Sequence, residues 1–135
     1  MAQGSLNAVG IVVSDLKRAV DFYRTLGVPF EPGVEESEQG HAEAELDGGF
    51  RLMIDSEATM REFDPSWQRG SGSSAATLAF GCANPEEVDQ LYAQALKAGG
   101  REHKAPWDAF WGMRYAQLRD PDGNAIDLYA NLEKS

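Results

Sequence analysis

Basic side chains are scarce in this chain. Lys and Arg number 12 against 22 Asp and Glu, a formal net charge of -10, and the isoelectric point lies near 4.5. No basic stripe exists to neutralise phosphates, so nucleic acid is excluded as a partner. One cysteine, Cys82, leaves no internal disulfide. No local motif sets a histidine beside it, so a small buried thiol is expected rather than a nucleophile. No charged-then-apolar leader precedes Leu6, and no apolar run approaches the roughly 18 residues that cross a bilayer. The expectation is a cytoplasmic protein with no membrane partner. A phosphate-cradling loop is also missing, because Gly70-Ser71-Gly72 lacks the following Lys and helix.

What is present is a repeat. At 135 residues the chain is one ordinary domain, or two half-sized modules sharing a core. Leu6 to Val13 reads as a strand. Ser14-Asp15 then offers an N-cap to a helix whose Leu16, Ala19, Val20, Tyr23 and Leu26 share one face, closing at Gly27. The stretches His41 to Leu46 and Phe50 to Ile54 flank Asp47-Gly48-Gly49, a hairpin signal. From Ala75 the order returns. Thr77 to Phe80 is a short strand, Asn84-Pro85-Glu86-Glu87 supplies N-cap, N1 proline and N3 acid, and Val88, Leu91, Tyr92, Ala95 and Leu96 run to Gly99-Gly100. The expected organisation is α+β: two βαβββ modules, 5–67 and 75–132, joined by the Gly/Ser-rich linker 68–74.

The chain ends Arg119-Asp120-Pro121-Asp122-Gly123-Asn124-Ala125-Ile126-Asp127-Leu128-Tyr129. Proline with its fixed φ, carboxylates able to fold back on backbone N–H groups and a glycine free to take φ > 0 predict a tight turn between strands. Beyond it Ala125, Asp127 and Tyr129 alternate with Ile126 and Leu128, so one strand face is apolar and the other carries a carboxylate and a phenol.

With the repeat, the Val12-Val13-Ser14-Asp15-Leu16 opening, the Phe22-Tyr23 and Leu26-Gly27 pairs and the Asp-Pro-Asp-Gly-Asn ending, nearly the whole chain resembles the vicinal oxygen chelate superfamily of glyoxalases, extradiol dioxygenases and bleomycin-resistance proteins. That resemblance implies curved mixed sheets around a cleft, helices on the convex side, and association of two chains. Metal-dependent members hold a divalent ion with four His, Glu or Gln side chains from the first and last strand of each module. The matching positions here are Ala8, Met53, Thr77 and Asp127. Alanine donates nothing, a thioether is too soft for Mg, Mn or Zn, and a hydroxyl is a poor ligand. The expectation is therefore no metal, no cofactor and no catalytic residue.

Period-two alternation from those four positions adds His41, Glu43, Glu45 and Arg51, then Met113, Tyr115, Gln117 and Tyr129, to the cleft face. Ala42, Ala44, Leu46, Leu52, Ile54, Ala116, Leu118, Ile126 and Leu128 fall on the other side. Glu43 and Glu45 have a plainer account as cross-hairpin partners of Arg51, and Asp127 as a solvated residue. Two segments are expected as aromatic loops, Pro106 to Gly112 with Trp107, Phe110 and Trp111, and the stretch holding Met60, Phe63 and Trp67. Either could form a binding rim or a dimer interface. His103 is expected in a polar turn and Arg114 as an ion-pair or backbone anchor rather than a catalytic group.

The resulting ligand set is Glu43, Glu45, Arg51, Met53, Trp107, Phe110, Trp111, Tyr115, Gln117, Asp127 and Tyr129, a surface suited to a flat aromatic or cationic molecule. Three functions compete: a metal-free homodimeric protein that sequesters a drug-like or antibiotic ligand, a metal-dependent lyase, isomerase or dioxygenase, and a metal-free enzyme with Glu43, Glu45 or Asp127 as base and Tyr115 or Tyr129 as acid.

Overall fold

The computed structural model describes residues 3–132. Two compact units emerge, one of residues up to Val20 with Gly27–Arg69, the other of Asp21–Leu26 with Gly70 onward. The chain is α+β, with mixed sheets of strand order β1-β3-β2 and β4-β7-β6-β5.

In the first unit β1 (Ala8–Val13) pairs parallel with β3 (Arg51–Ser56), which pairs antiparallel with β2 (His41–Glu45). Between β1 and β2 lies α1 (Leu16–Thr25). Asp15 caps it, its Oδ1 accepting from Arg18 N at 3.0 Å. The predicted stripe Leu16, Ala19, Val20, Tyr23 and Leu26 is buried throughout. Ala42, Ala44, Leu52 and Ile54 are buried as well, and the intervening His41, Glu43, Arg51 and Met53 are half-exposed.

This unit has three strands among the described residues where the βαβββ pattern has four. Pro29 and Pro32 remove two ladder donors from the segment after α1, Phe30 N turns back to Val28 O at 3.0 Å, and a 3-10 turn follows at Val34–Glu36.

The segment carrying Met60 and Phe63 is helical rather than a loop: α2 spans Glu57–Phe63. Ser56 Oγ accepts from Thr59 N at 3.2 Å, Thr59 Oγ1 donates to Gln39 O at 2.7 Å, and Ser56 N donates to Gly40 O at 2.8 Å. The helix start is thus stitched to Gly40, whose φ is +65° and whose missing Cβ would stand against Thr59 Oγ1 and 2.6 Å from Ser56 Oγ. Gly40→Ala is expected to cost about 2 kcal/mol, the left-handed penalty plus displacement of the cap. Urea unfolding reads this as a lower midpoint at unchanged slope.

The second unit comprises β4 (Thr77–Gly81), α3 (Pro85–Lys97), β5 (Arg101–Ala109), β6 (Met113–Arg119) and β7 (Ala125–Asn131). Asn84 Oδ1 accepts from Glu87 N at 2.9 Å, the N-cap that the sequence predicts, and the Glu87 carboxylate accepts from Ala83 N at 3.0 Å, one residue before the cap. Trp107 and His103 lie on β5, neither in a loop nor in a turn. Phe110 to Gly112 form the turn into β6.

The Asp120 turn anchors this unit. Asp120 is fully buried, and its carboxylate accepts from Tyr23 Oη and Asn124 Nδ2 at 2.7 Å and from Asp122 N and Asn124 N at 2.8 Å. Tyr23 packs edge-on to Phe22 and stacks near Phe80. Burial, followed by the Asp120 carboxylate, pushes its phenol well above the usual tyrosine range. The tyrosine therefore stays a donor.

Candidate ligand-binding site

Strand register builds two rows across one face of the second sheet. Trp107 partners Tyr115, Tyr115 partners Tyr129 and Tyr129 partners Gly81; one step along, Lys104, Gln117, Asp127 and Ala79 follow in the same order. Partnered residues share a face, so an aromatic row lies beside a polar one. The rings contact one another: Trp107 to Tyr115 at 5.6 Å, Trp111 to Tyr115 at 5.4 Å and Tyr115 to Tyr129 at 6.3 Å between centroids. Gly81 ends the aromatic row because the Tyr129 ring covers it, leaving 3.2 Å to a hypothetical Cβ. Lys104 Nζ stands 3.9 Å from the Trp107 ring centroid, a cation–π contact within the chain.

Asp127 holds the polar row together. Its carboxylate accepts from Tyr115 Oη at 2.5 Å and Gln117 Nε2 at 3.4 Å. Burial, and after it this carboxylate, pushes the Tyr115 phenol up to about 12. Phe110 and Trp111 are 96% and 47% exposed at the β5–β6 turn, so of the three rings in that segment Trp107 is the half-buried one. Arg114 is the expected ion-pair residue, bonded to Asp89 and Asp108. Trp67 belongs elsewhere, with the Arg61 and Arg69 guanidinium groups 5.2 and 5.5 Å from its ring.

In the first unit the expected residues meet differently. Glu43 accepts from Arg51 at 3.0 Å, the cross-hairpin pairing of the plainer account, whereas Glu45 lies at the exposed end of β2 as the register partner of Arg51. Glu43 also contacts His41 Nε2 at 2.8 Å, and His41 Nδ1 contacts Asp55 at 2.6 Å. Burial opposes the imidazolium, but the bonds to Glu43 and Asp55 outweigh it and raise His41 above its ordinary value. The same bond to His41, with Arg51, lowers Glu43.

A raised histidine contributes stability that is complete below its unfolded value of about 6.5 and vanishes as pH rises through the folded value. The His41 and Glu43 side chains are 33% and 38% exposed and Asp55 13%, so solvent screening keeps the effect below about 1 kcal/mol. The melting temperature is expected to decline slightly above about pH 6.5, and His41→Gln to remove that decline.

The four positions matching a family metal site do not suit one. Ala8 and Met53 offer no hard donor in the first unit, and in the second Thr77 offers a hydroxyl while Asp127 is engaged by Tyr115 and Gln117. Asp55 and Lys104 are functional candidates that sequence reading passed over. One further step of the Arg51, Met53 alternation reaches Asp55, and treating 101–109 as a strand would have reached Lys104. Cys82, partly buried just after β4, has its thiol pushed up by burial and by Glu87, away from nucleophilic reactivity.

Residues 5–128 match the model of the Glyoxalase/Bleomycin resistance protein/Dioxygenase superfamily. The chain is 30% identical over 129 residues to the uncharacterised protein YraH of Bacillus subtilis (strain 168), covering 92% of this chain and 96% of that one. In structure it is similar to a glyoxalase/bleomycin resistance protein/dioxygenase family enzyme from Burkholderia phytofirmans PsJN, at TM-score 0.78 and 24% identity over 96% of this chain and 100% of that one. A glyoxalase-related enzyme from Fulvimarina pelagi gives TM-score 0.78 at 20% identity, over 96% and 89%. The chain belongs to the Glyoxalase/Bleomycin resistance protein/Dioxygenase superfamily.

Proposed function

We propose that this protein is a metal-free binder that sequesters a flat aromatic, drug-like small molecule without altering it. The observation that carries the reading is the aromatic row Trp107, Tyr115 and Tyr129 laid beside Gln117 and Asp127 on one sheet face. Rings supply large apolar area at low entropic cost, and the polar row supplies orientation. A cationic group on the ligand suits the Asp127 carboxylate in the polar row and the acidity of the chain as a whole. Catalysis has less support at this face, because Asp127 already accepts a phenol and an amide and Tyr115 is held neutral. Glu43, Glu45, Arg51 and Met53 remain candidate contacts from the first unit.

The reading is tested by tryptophan fluorescence. Trp107 and Trp111 report on the face, and titration with a panel of aromatic natural products is expected to give saturable quenching that chelator leaves unchanged. Absence of any response across a broad panel would reject it. The reading includes association of two chains; sedimentation giving only the 14.7 kDa monomer at all concentrations would remove that part.

A further inference from the structure

Asp55 and Asp120 are the buried charged residues of the described core, and they are satisfied unequally. Asp120 collects four hydrogen bonds, from Tyr23, Asp122 and Asn124. Asp55, 9% exposed, receives one side-chain bond, from His41. An ionised carboxylate has room for about four. Asp55 also lines a pocket of about 740 Å³ within the first unit, together with His41, Glu62, Met53, Met60 and Phe63. The thioethers and the ring offer adaptable apolar contact, and the buried carboxylate offers a charge-assisted acceptor beside them.

We propose that this pocket binds a primary amine carried on an apolar body, and that the ligand's ammonium replaces His41 as the cationic partner of Asp55. The inference goes beyond the aromatic-face reading: its anchor, Asp55, has no part in that reading, and the two share only Met53 and Glu43 as candidate contacts.

The exchange follows from how His41 is held. Both ring nitrogens lie against carboxylates, Asp55 at 2.6 Å and Glu43 at 2.8 Å, an arrangement in which each N–H donates and the ring keeps its proton. Other charged groups on elements around it are Arg51 on β3, bonded to Glu43, Glu45 on β2, Glu57, Arg61 and Glu62 on α2, and Glu35 and Glu36 on the 3-10 turn packed against β2. Acids dominate that set, so they favour imidazolium in the free protein. An ammonium arriving at Asp55 brings a second positive charge to a carboxylate that already holds one. His41 then gives its proton to solvent and remains bonded to Glu43 as a neutral donor. One charged amine enters and one proton leaves, so the pocket's net charge is unchanged.

The test is calorimetric titration of the full chain with hexylamine, an aliphatic amine that offers no ring to the aromatic face, in two buffers of different ionisation enthalpy, with 1-hexanol as the uncharged comparison. Saturable binding with release of close to one proton is expected below the His41 titration range, and affinity should rise about tenfold per pH unit there and level off above it. The alcohol should bind at least tenfold more weakly. Asp55→Asn should lose binding, and His41→Gln should bind without proton release, which separates this pocket from the aromatic face, where no histidine stands. Binding without proton release, equal affinity for the alcohol, or no binding at tens of millimolar amine would overturn the proposal. The buffer comparison on the unmodified protein decides the matter even where Asp55→Asn fails to fold.

Discussion

Asp120→Ala is expected to lower the unfolding free energy by about 3–5 kcal/mol, enough to drop the melting temperature by roughly 10 °C or more in a domain of this size. The size follows from what alanine leaves behind. The fully buried carboxylate accepts from the Tyr23 phenol, the Asn124 amide and two backbone N–H groups, and none of these donors gains a substitute when it is removed. Each orphaned buried donor costs about 1–3 kcal/mol, softened where water enters. Tyr23→Phe removes one of the four bonds and is expected to cost about 1–2 kcal/mol. Combined, the two changes should fall short of additivity, because Asp120→Ala has already broken the bond that Tyr23→Phe removes. Urea denaturation of the four proteins checks this. Additive losses would mean that the phenol and the carboxylate act separately.

Trp107→Ala is expected to weaken binding of a flat aromatic cation at least 30-fold, about 2 kcal/mol, while leaving the fold intact. Trp107 has the largest ring in the row, contacts Trp111 and Tyr115, and carries the Lys104 ammonium over its face. It lies on edge strand β5, so truncation exposes little core. Asp127→Asn keeps an acceptor for Tyr115 and removes the charge, so it should weaken a cationic ligand several-fold and a neutral isostere hardly at all. Isothermal titration of both variants with a charged and an uncharged ligand of the same shape separates stacking from charge. Equal losses for the two ligands in Asp127→Asn would show that charge plays no part.

The parts of this fold that were legible in the sequence are those fixed by local chemistry. Asp15 and Asn84 cap their helices as their positions predict, and the alternation from Ala125 to Tyr129 buries Ile126 and Leu128 while leaving Asp127 and Tyr129 half-exposed. The misreadings share a cause, namely elements stabilised by distant partners. Strand β5 begins Arg101-Glu102-His103-Lys104, which reads as a polar turn, and contains Pro106. Both features are tolerated because β5 is an edge strand with register shifts between Glu102 and Trp107. Helix α2 is seven residues long and depends on Ser56, Thr59 and a close approach to Gly40, which no local periodicity reveals. The terminal motif changes meaning in the same way. Asp120 marks the fold because Tyr23, far away in sequence, needs a buried acceptor, and no spacing rule contains that pairing.

Calorimetric titration of chelator-treated protein with a flat aromatic cation is the most direct measurement of the central claim, that an aromatic row backed by Asp127 binds such a ligand without a metal. Saturable binding at one site per chain, unchanged when divalent ions are restored, is the predicted result. Binding that appears only after a divalent metal is added would contradict it.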